Sequence, residues 1–87
     1  MENYDKFRAQ LELEEWPAVY MFKFIVPNEP RKIALVSALF DEGTEIRMQP
    51  SSSNKYMSIT GKEVMTNVDS IIERYLAAAE IEGLIAL

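Results

Sequence analysis

An α+β domain of element order βαββαβ is the fold class this sequence predicts. Three observations lead there: an aromatic and β-branched run at 17–26, two alternating stretches either side of the turn-forming cluster Pro50-Ser51-Ser52-Ser53-Asn54, and two stretches of helical spacing, one before and one after that pair. With 87 residues, 48% of them hydrophobic and 26% charged, the composition is globular and leaves room for one domain.

The run Pro17-Ala18-Val19-Tyr20-Met21-Phe22-Lys23-Phe24-Ile25-Val26 favours a strand and is closed by Pro27. Alternation puts Tyr20, Phe22, Phe24 and Val26 on one side, expected to be the core, and Val19, Met21, Lys23 and Ile25 on the other. Asn28, Glu29 and Pro30 supply a capping acceptor, an acid and an N-terminal proline, so a helix is expected from there through Phe40. Ile33, Val36 and Phe40, flanked by Leu35 and Leu39, form its apolar stripe, and Asp41-Glu42-Gly43 should stop it, with the glycine in a left-handed conformation.

From Thr44 to Gln49 polar and apolar residues alternate, Ile46 and Met48 against Glu45, Arg47 and Gln49, which predicts a half-exposed strand. After the turn, Lys55 to Met65 resumes the pattern, with Met57 and Ile59 opposed to Tyr56, Ser58 and Thr60, and the two strands should form a hairpin. Thr66 with Asp69 reads as a variant capping box before a helix whose stripe is Val68, Ile71, Ile72, Tyr75, Leu76 and Ala79. A last strand is expected over Ile81 to Leu87. Residues 1–15 form an N-terminal extension, expected to be a short helix packed through Tyr4, Phe7, Leu11 and Trp16, ahead of a domain over 16–87.

This split βαβ order is ferredoxin-like. Right-handed crossovers would place strands one and three in the centre, strand four beyond one, strand two beyond three, and both helices on one face. The expected core includes Phe22, Phe24, Ile46, Ile59, Ile72 and Leu76. The other sheet face stays open.

Absent residue types exclude much chemistry. The sequence has no Cys and no His, which removes thiolate and imidazole metal ligands, thiol redox chemistry, and the commonest general base at neutral pH. No metal or other cofactor is expected. The net charge of −5 is the wrong sign for a protein that neutralises phosphates or anionic lipid, so neither nucleic acid nor membrane is an expected partner. The apolar stretches fall short of a membrane span, the first sixteen residues carry no secretory pattern, and a cytoplasmic address is expected by default.

Two segments carry a family resemblance. Trp16-Pro17-Ala18-Val19-Tyr20-Met21-Phe22-Lys23-Phe24-Ile25 and Pro50-Ser51-Ser52-Ser53-Asn54-Lys55-Tyr56-Met57-Ser58-Ile59-Thr60 are similar to the YbeD-like family of small bacterial proteins. Its members have an aromatic-Pro approach to strand one, a lysine within that strand, and a Pro-Ser-Ser turn leading to Tyr-x-Ser. The resemblance, with the element order, covers about residues 15–87. It implies a ferredoxin-like fold close to the ACT regulatory domains, which bind small molecules, often amino acids, at subunit interfaces; the family itself has no settled activity. Val26-Pro27 stands here where the family often has a glycine, which weighs against amino-acid binding at that turn.

The candidate ligand-binding residues are Lys23, Arg47, Tyr56 and Ser58, which the parities place together on the open face: two positive charges and two hydroxyls able to hold an anion. The competing reading is a lysine lying along its sheet with the amine in water. The Pro50 to Asn54 turn is either an anion nest or a plain hairpin connection. Asp41-Glu42 with Glu45, and Glu12-Glu14-Glu15, lack calcium-loop spacing and read as solvated faces. Five methionines read mainly as core, Met21 excepted.

A non-enzymatic regulatory or protein-interaction module is therefore expected, one that associates with a protein partner or with itself and holds a small anionic metabolite on the open face or at a subunit interface. Two alternatives stand beside it. A small ferredoxin-like enzyme of the acylphosphatase kind needs a phosphate-cradling loop after strand one, where this chain has Val26-Pro27-Asn28-Glu29-Pro30. A single-stranded RNA-binding module needs stacking aromatics on the sheet, where Tyr56 stands alone.

Overall fold

The computed structural model describes residues 4–87. The Met1-Glu2-Asn3 start, considered above for a secretory leader, lies outside them. The elements are α1 (Tyr4–Leu11), β1 (Ala18–Pro27), α2 (Pro30–Ser37), β2 (Ile46–Pro50), β3 (Tyr56–Met65), α3 (Val68–Ala79) and β4 (Ile85–Ala86). One antiparallel sheet runs in the order β2-β3-β1-β4. This is the arrangement that right-handed crossovers predict for the element order.

Strand parity holds through β1. Phe22, Phe24 and Val26 are fully buried, whereas Val19 and Met21 are exposed on the opposite face. The core lies between the sheet and the helices, where these residues meet Val36, Phe40, Ile59, Ile71 and Ile72. The rings of Phe22, Phe24, Phe40 and Tyr75 pack at centroid distances of 5.4–6.1 Å in tilted, edge-on or stacked pairs. Ile46 and Leu76 are only half-buried, and Met48, on the edge strand, is exposed. An edge strand covers fewer neighbours, so parity alone overstates its burial.

Helix α2 ends earlier than the apolar stripe suggested. Its last turn tightens at Ala38, and Leu39 and Phe40 N–H groups bond the carbonyls of Val36 and Ser37, three residues back. Phe40 thus enters the core from a turn and not from a helix. Gly43 has φ +90°, as expected after a helix end. Asn28 does not cap α2. The cap position is Glu29, with no side-chain bond, while the Asn28 amide reaches across to the Asn54 carbonyl at 3.0 Å. The cap of α3 also falls one residue later than expected: Asn67, not Thr66, accepts from the Ser70 N–H at 2.9 Å, with Ser70 Oγ closing a capping box. The register of α3 accordingly buries Ala78 and exposes Ala79.

The last strand is two residues long, not seven. Ile81 is buried and Gly83 adopts φ +85°, so the chain turns before it can pair, and only Ile85 and Ala86 join β1, opposite Ile25 and Phe24. The Leu87 N–H then donates to the Lys23 carbonyl at 2.9 Å. Helix α1 packs by Leu11, Phe7 and Tyr4 on the core cluster, Phe7 edge-on to Tyr75 at 5.5 Å, and Arg8 pairs with Asp69 of α3.

Candidate functional site

The open sheet face carries one trough of about 790 Å³, lined by Met21, Lys23, Glu45, Arg47, Met48, Gln49, Ser58, Thr60 and Lys62. Strand register builds it in rows. Lys23 on β1 stands opposite Thr60 on β3, and Thr60 opposite Arg47 on β2, so one cross-strand row presents an ammonium, a hydroxyl and a guanidinium. Neighbouring strands lie about 4.8 Å apart, so Lys23 and Arg47 are separated by about 10 Å at the backbone, within the joint reach of two long side chains. The row on one side is Ile25, Ser58 and Gln49; on the other, Met21 faces Lys62.

Lys23, Arg47 and Ser58 are therefore brought together as the parities predicted. Tyr56 is not. It pairs with Pro27, four residues along β1 from Lys23, or about 13 Å. Thr60 takes the place beside Lys23 that the sequence reading gave to Tyr56. Alternation fixes a face without fixing a row, because shifting one strand by two residues keeps every side chain on its face.

Lys62 was missed, although continuing the alternation from Tyr56 through Ser58 and Thr60 puts it on this face. With it the trough holds three cations. None of them is ion-paired with a carboxylate among the described residues, although Glu45 also lines the wall. The described acids that do pair are engaged elsewhere: Asp69 with Arg8, Glu29 with Lys32, and Glu63 with Arg74.

A second polar group lies on the helix side, and no motif pointed to it. Glu63 of β3 is buried and accepts from the Arg74 guanidinium at 2.6 Å and from the Asp41 N–H at 3.1 Å. Arg74 lies over the Phe22 and Phe40 rings, its central carbon 4.9 and 5.5 Å from their centroids. Burial alone would push the Glu63 carboxyl up, but the Arg74 and Asp41 hydrogen bonds win and hold it below the usual carboxylate range. Asp41 moves the other way, raised by the neighbouring Glu63 carboxylate. Parity from Ile59 predicts that residue 63 faces the core, so a glutamate there signals a buried pair. The group is filled by its own partners and offers no open position.

Tyr75 and Tyr20 share a hydrogen bond between their hydroxyls at 3.0 Å, and burial pushes the Tyr75 hydroxyl far above its ordinary value. The serine turn closes on itself. Ser51 Oγ accepts from the Tyr56 N–H at 3.1 Å, the Asn54 N–H donates to the Ser51 carbonyl at 2.8 Å, and Asn54 takes the left-handed conformation. Those groups serve the hairpin and do not converge outward as an anion nest. Among the described residues no group of three or more acidic side chains is placed to hold a metal ion, and no helix is long and apolar enough to cross a membrane.

Comparison of the chain with protein-family models, with curated proteins and with solved structures gives no match. What the fold and site define is an α+β domain with a four-stranded antiparallel sheet whose uncovered face bears a basic, partly apolar trough.

Proposed function

We propose that this chain is a ferredoxin-like, ACT-like module of the YbeD-like kind that works by binding and not by catalysis, and that its open sheet face recognises carboxylate groups of a small metabolite or of an acidic protein segment. One observation carries this reading: Lys23, Arg47 and Lys62 gather in a single trough of a chain with net charge −5, without carboxylate partners among the described residues. Hydroxyls of Ser58 and Thr60 and the Gln49 amide line the same wall and supply neutral hydrogen bonds, while Met21 adds an apolar flank. A carboxylate seated against a surface part apolar is less well screened than one in bulk water, which strengthens its pairing with the lysine and arginine. The βαββαβ order and the β2-β3-β1-β4 sheet support the fold assignment, and the Trp16-Pro17 and Pro50-Ser51-Ser52 segments support the family resemblance.

The test is an NMR titration of the wild-type protein and of Lys23→Met with citrate and with hexaglutamate. Shifts should concentrate at residues 23, 47, 58, 60 and 62 and disappear in the variant, while the thermal midpoint stays nearly unchanged because Lys23 is exposed. Equal binding by wild type and variant, or no binding of either probe at millimolar concentration, would refute the assignment.

A further inference from the structure

We infer that the occupant of the trough is a second copy of this chain, which docks through its acidic turn Glu12-Leu13-Glu14-Glu15. The inference rests on the open-face reading above and names the partner for it.

The turn that follows α1 is exposed throughout, and Leu13, at 87%, has the greatest exposure of the large apolar side chains among the described residues. It is not a loose tail. Glu12, Leu13 and Glu14 N–H groups bond the carbonyls of Arg8, Gln10 and Leu11, and Trp16 Nε1 donates to the Leu11 carbonyl at 2.8 Å, fixing both ends. Three glutamates therefore flank one exposed leucine on a backbone held at both ends, and none of the three is ion-paired among the described residues. The backbone of such a knob is already ordered, so binding has only its side chains to fix.

The trough matches it in both sign and polarity. Lys23, Arg47 and Lys62 oppose the glutamates, and the exposed Met21 offers pliant apolar surface to the leucine. Elsewhere two copies carrying −5 each repel one another, so the basic trough is where an acidic knob can approach. Every copy has both a knob and a trough. A reciprocal pair related by a two-fold axis makes the contact twice.

Sedimentation equilibrium of the intact chain up to about 1 mM, in low salt and in about 0.5 M salt, reads the association directly. The wild type should move toward the dimer mass with concentration and move back when salt is added. Arg47→Glu and Glu14→Arg, both changes at exposed positions, should each remain monomeric under the conditions that dimerise the wild type, and an equimolar mixture of the two should dimerise again. A wild type that stays monomeric to about 1 mM overturns the inference. So does a dimer that neither variant weakens, which would place the contact elsewhere. If the chain is monomeric but hexaglutamate still shifts residues 23 and 47, the second-copy assignment fails alone; if hexaglutamate also fails to bind, the open-face reading falls with it.

Discussion

Gly61→Ala is the sharpest perturbation the structure offers. Gly61 lies within β3 opposite Phe22 and Ile46, on the face turned to the core. A Cβ placed there would sit 2.6 Å from Phe40 Cε1, 2.9 Å from Cδ1 and 3.0 Å from Cζ. Unstrained carbon contacts need about 3.5–4.0 Å, so the ring must retreat by about 1 Å. It has little room to do so: Phe40 is buried, its centroid 6.0 Å from Phe22 and 6.1 Å from Phe24, with the Arg74 guanidinium over its face. Alanine in place of glycine would by itself favour a strand by about 0.5–1 kcal/mol, against an overpacking cost of about 1–3 kcal/mol. The expected outcome is a net loss of up to about 2.5 kcal/mol, with about 1 kcal/mol enough in a chain of this size to lower the thermal midpoint by several degrees. Urea unfolding gives the free energy, and a double-mutant cycle with Phe40→Leu identifies its source, because the alanine should cost less once the ring is gone. A stabilising Gly61→Ala, or strict additivity in the cycle, would refute the packing argument.

Three further outcomes are expected. Glu63→Gln should cost about 1.5–3 kcal/mol at neutral pH by removing the charged partner of Arg74. Because Glu63 titrates below its ordinary 4.5 in the fold, its contribution is present above that value and is lost as pH falls through the folded value, so wild-type and variant stabilities should converge in acid; Asp41, raised by the same carboxylate, acts in the opposite sense, and the Asp41→Asn background separates the two. Asn67→Ala should cost about 1 kcal/mol by urea unfolding through loss of the α3 cap, whereas Thr66→Ala should cost little. Mixed RNA and DNA oligonucleotides should show no binding by fluorescence titration at physiological salt, since the chain is net acidic and Tyr56 is the aromatic left exposed on the open face; micromolar, salt-dependent binding would contradict this.

Where a period governs the structure, the sequence was readable. Phe22, Phe24 and Ile59 fall inside and Met21 and Lys23 outside because a strand offers two faces only. What escaped depends on residues distant in the chain. Asn28 has the composition of a helix cap, but the hairpin loop 26 residues later offers its amide a partner, and nothing local distinguishes the two uses. Thr66 and Asn67 are both good caps, and the choice between them follows from where β3 releases the chain. At the site, the face was legible and the row was not. Tyr56 has the right parity and lies two rows from Lys23, while Lys62 lies within the trough although no motif marks it. The partnership of Glu63 with Arg74 needed the α3 register, and the glycine at 61 needed the ring of a residue 21 positions earlier.

The short β4 has a consequence for how β1 behaves in solution. The Lys23 carbonyl points to β4, so in a regular strand the N–H and C=O groups of Val19 and Met21 point the same way, where no backbone partner meets them among the described residues; those of Tyr20 and Phe22 point to β3. Amide hydrogen exchange along this one strand should therefore follow a comb. Deuterium enters at 19 and 21 on the timescale of solvent-exposed peptides, while 20 and 22 open only with the sheet. A strand at the middle of the fold thus keeps two clocks, one set by global unfolding and one by water, alternating residue by residue.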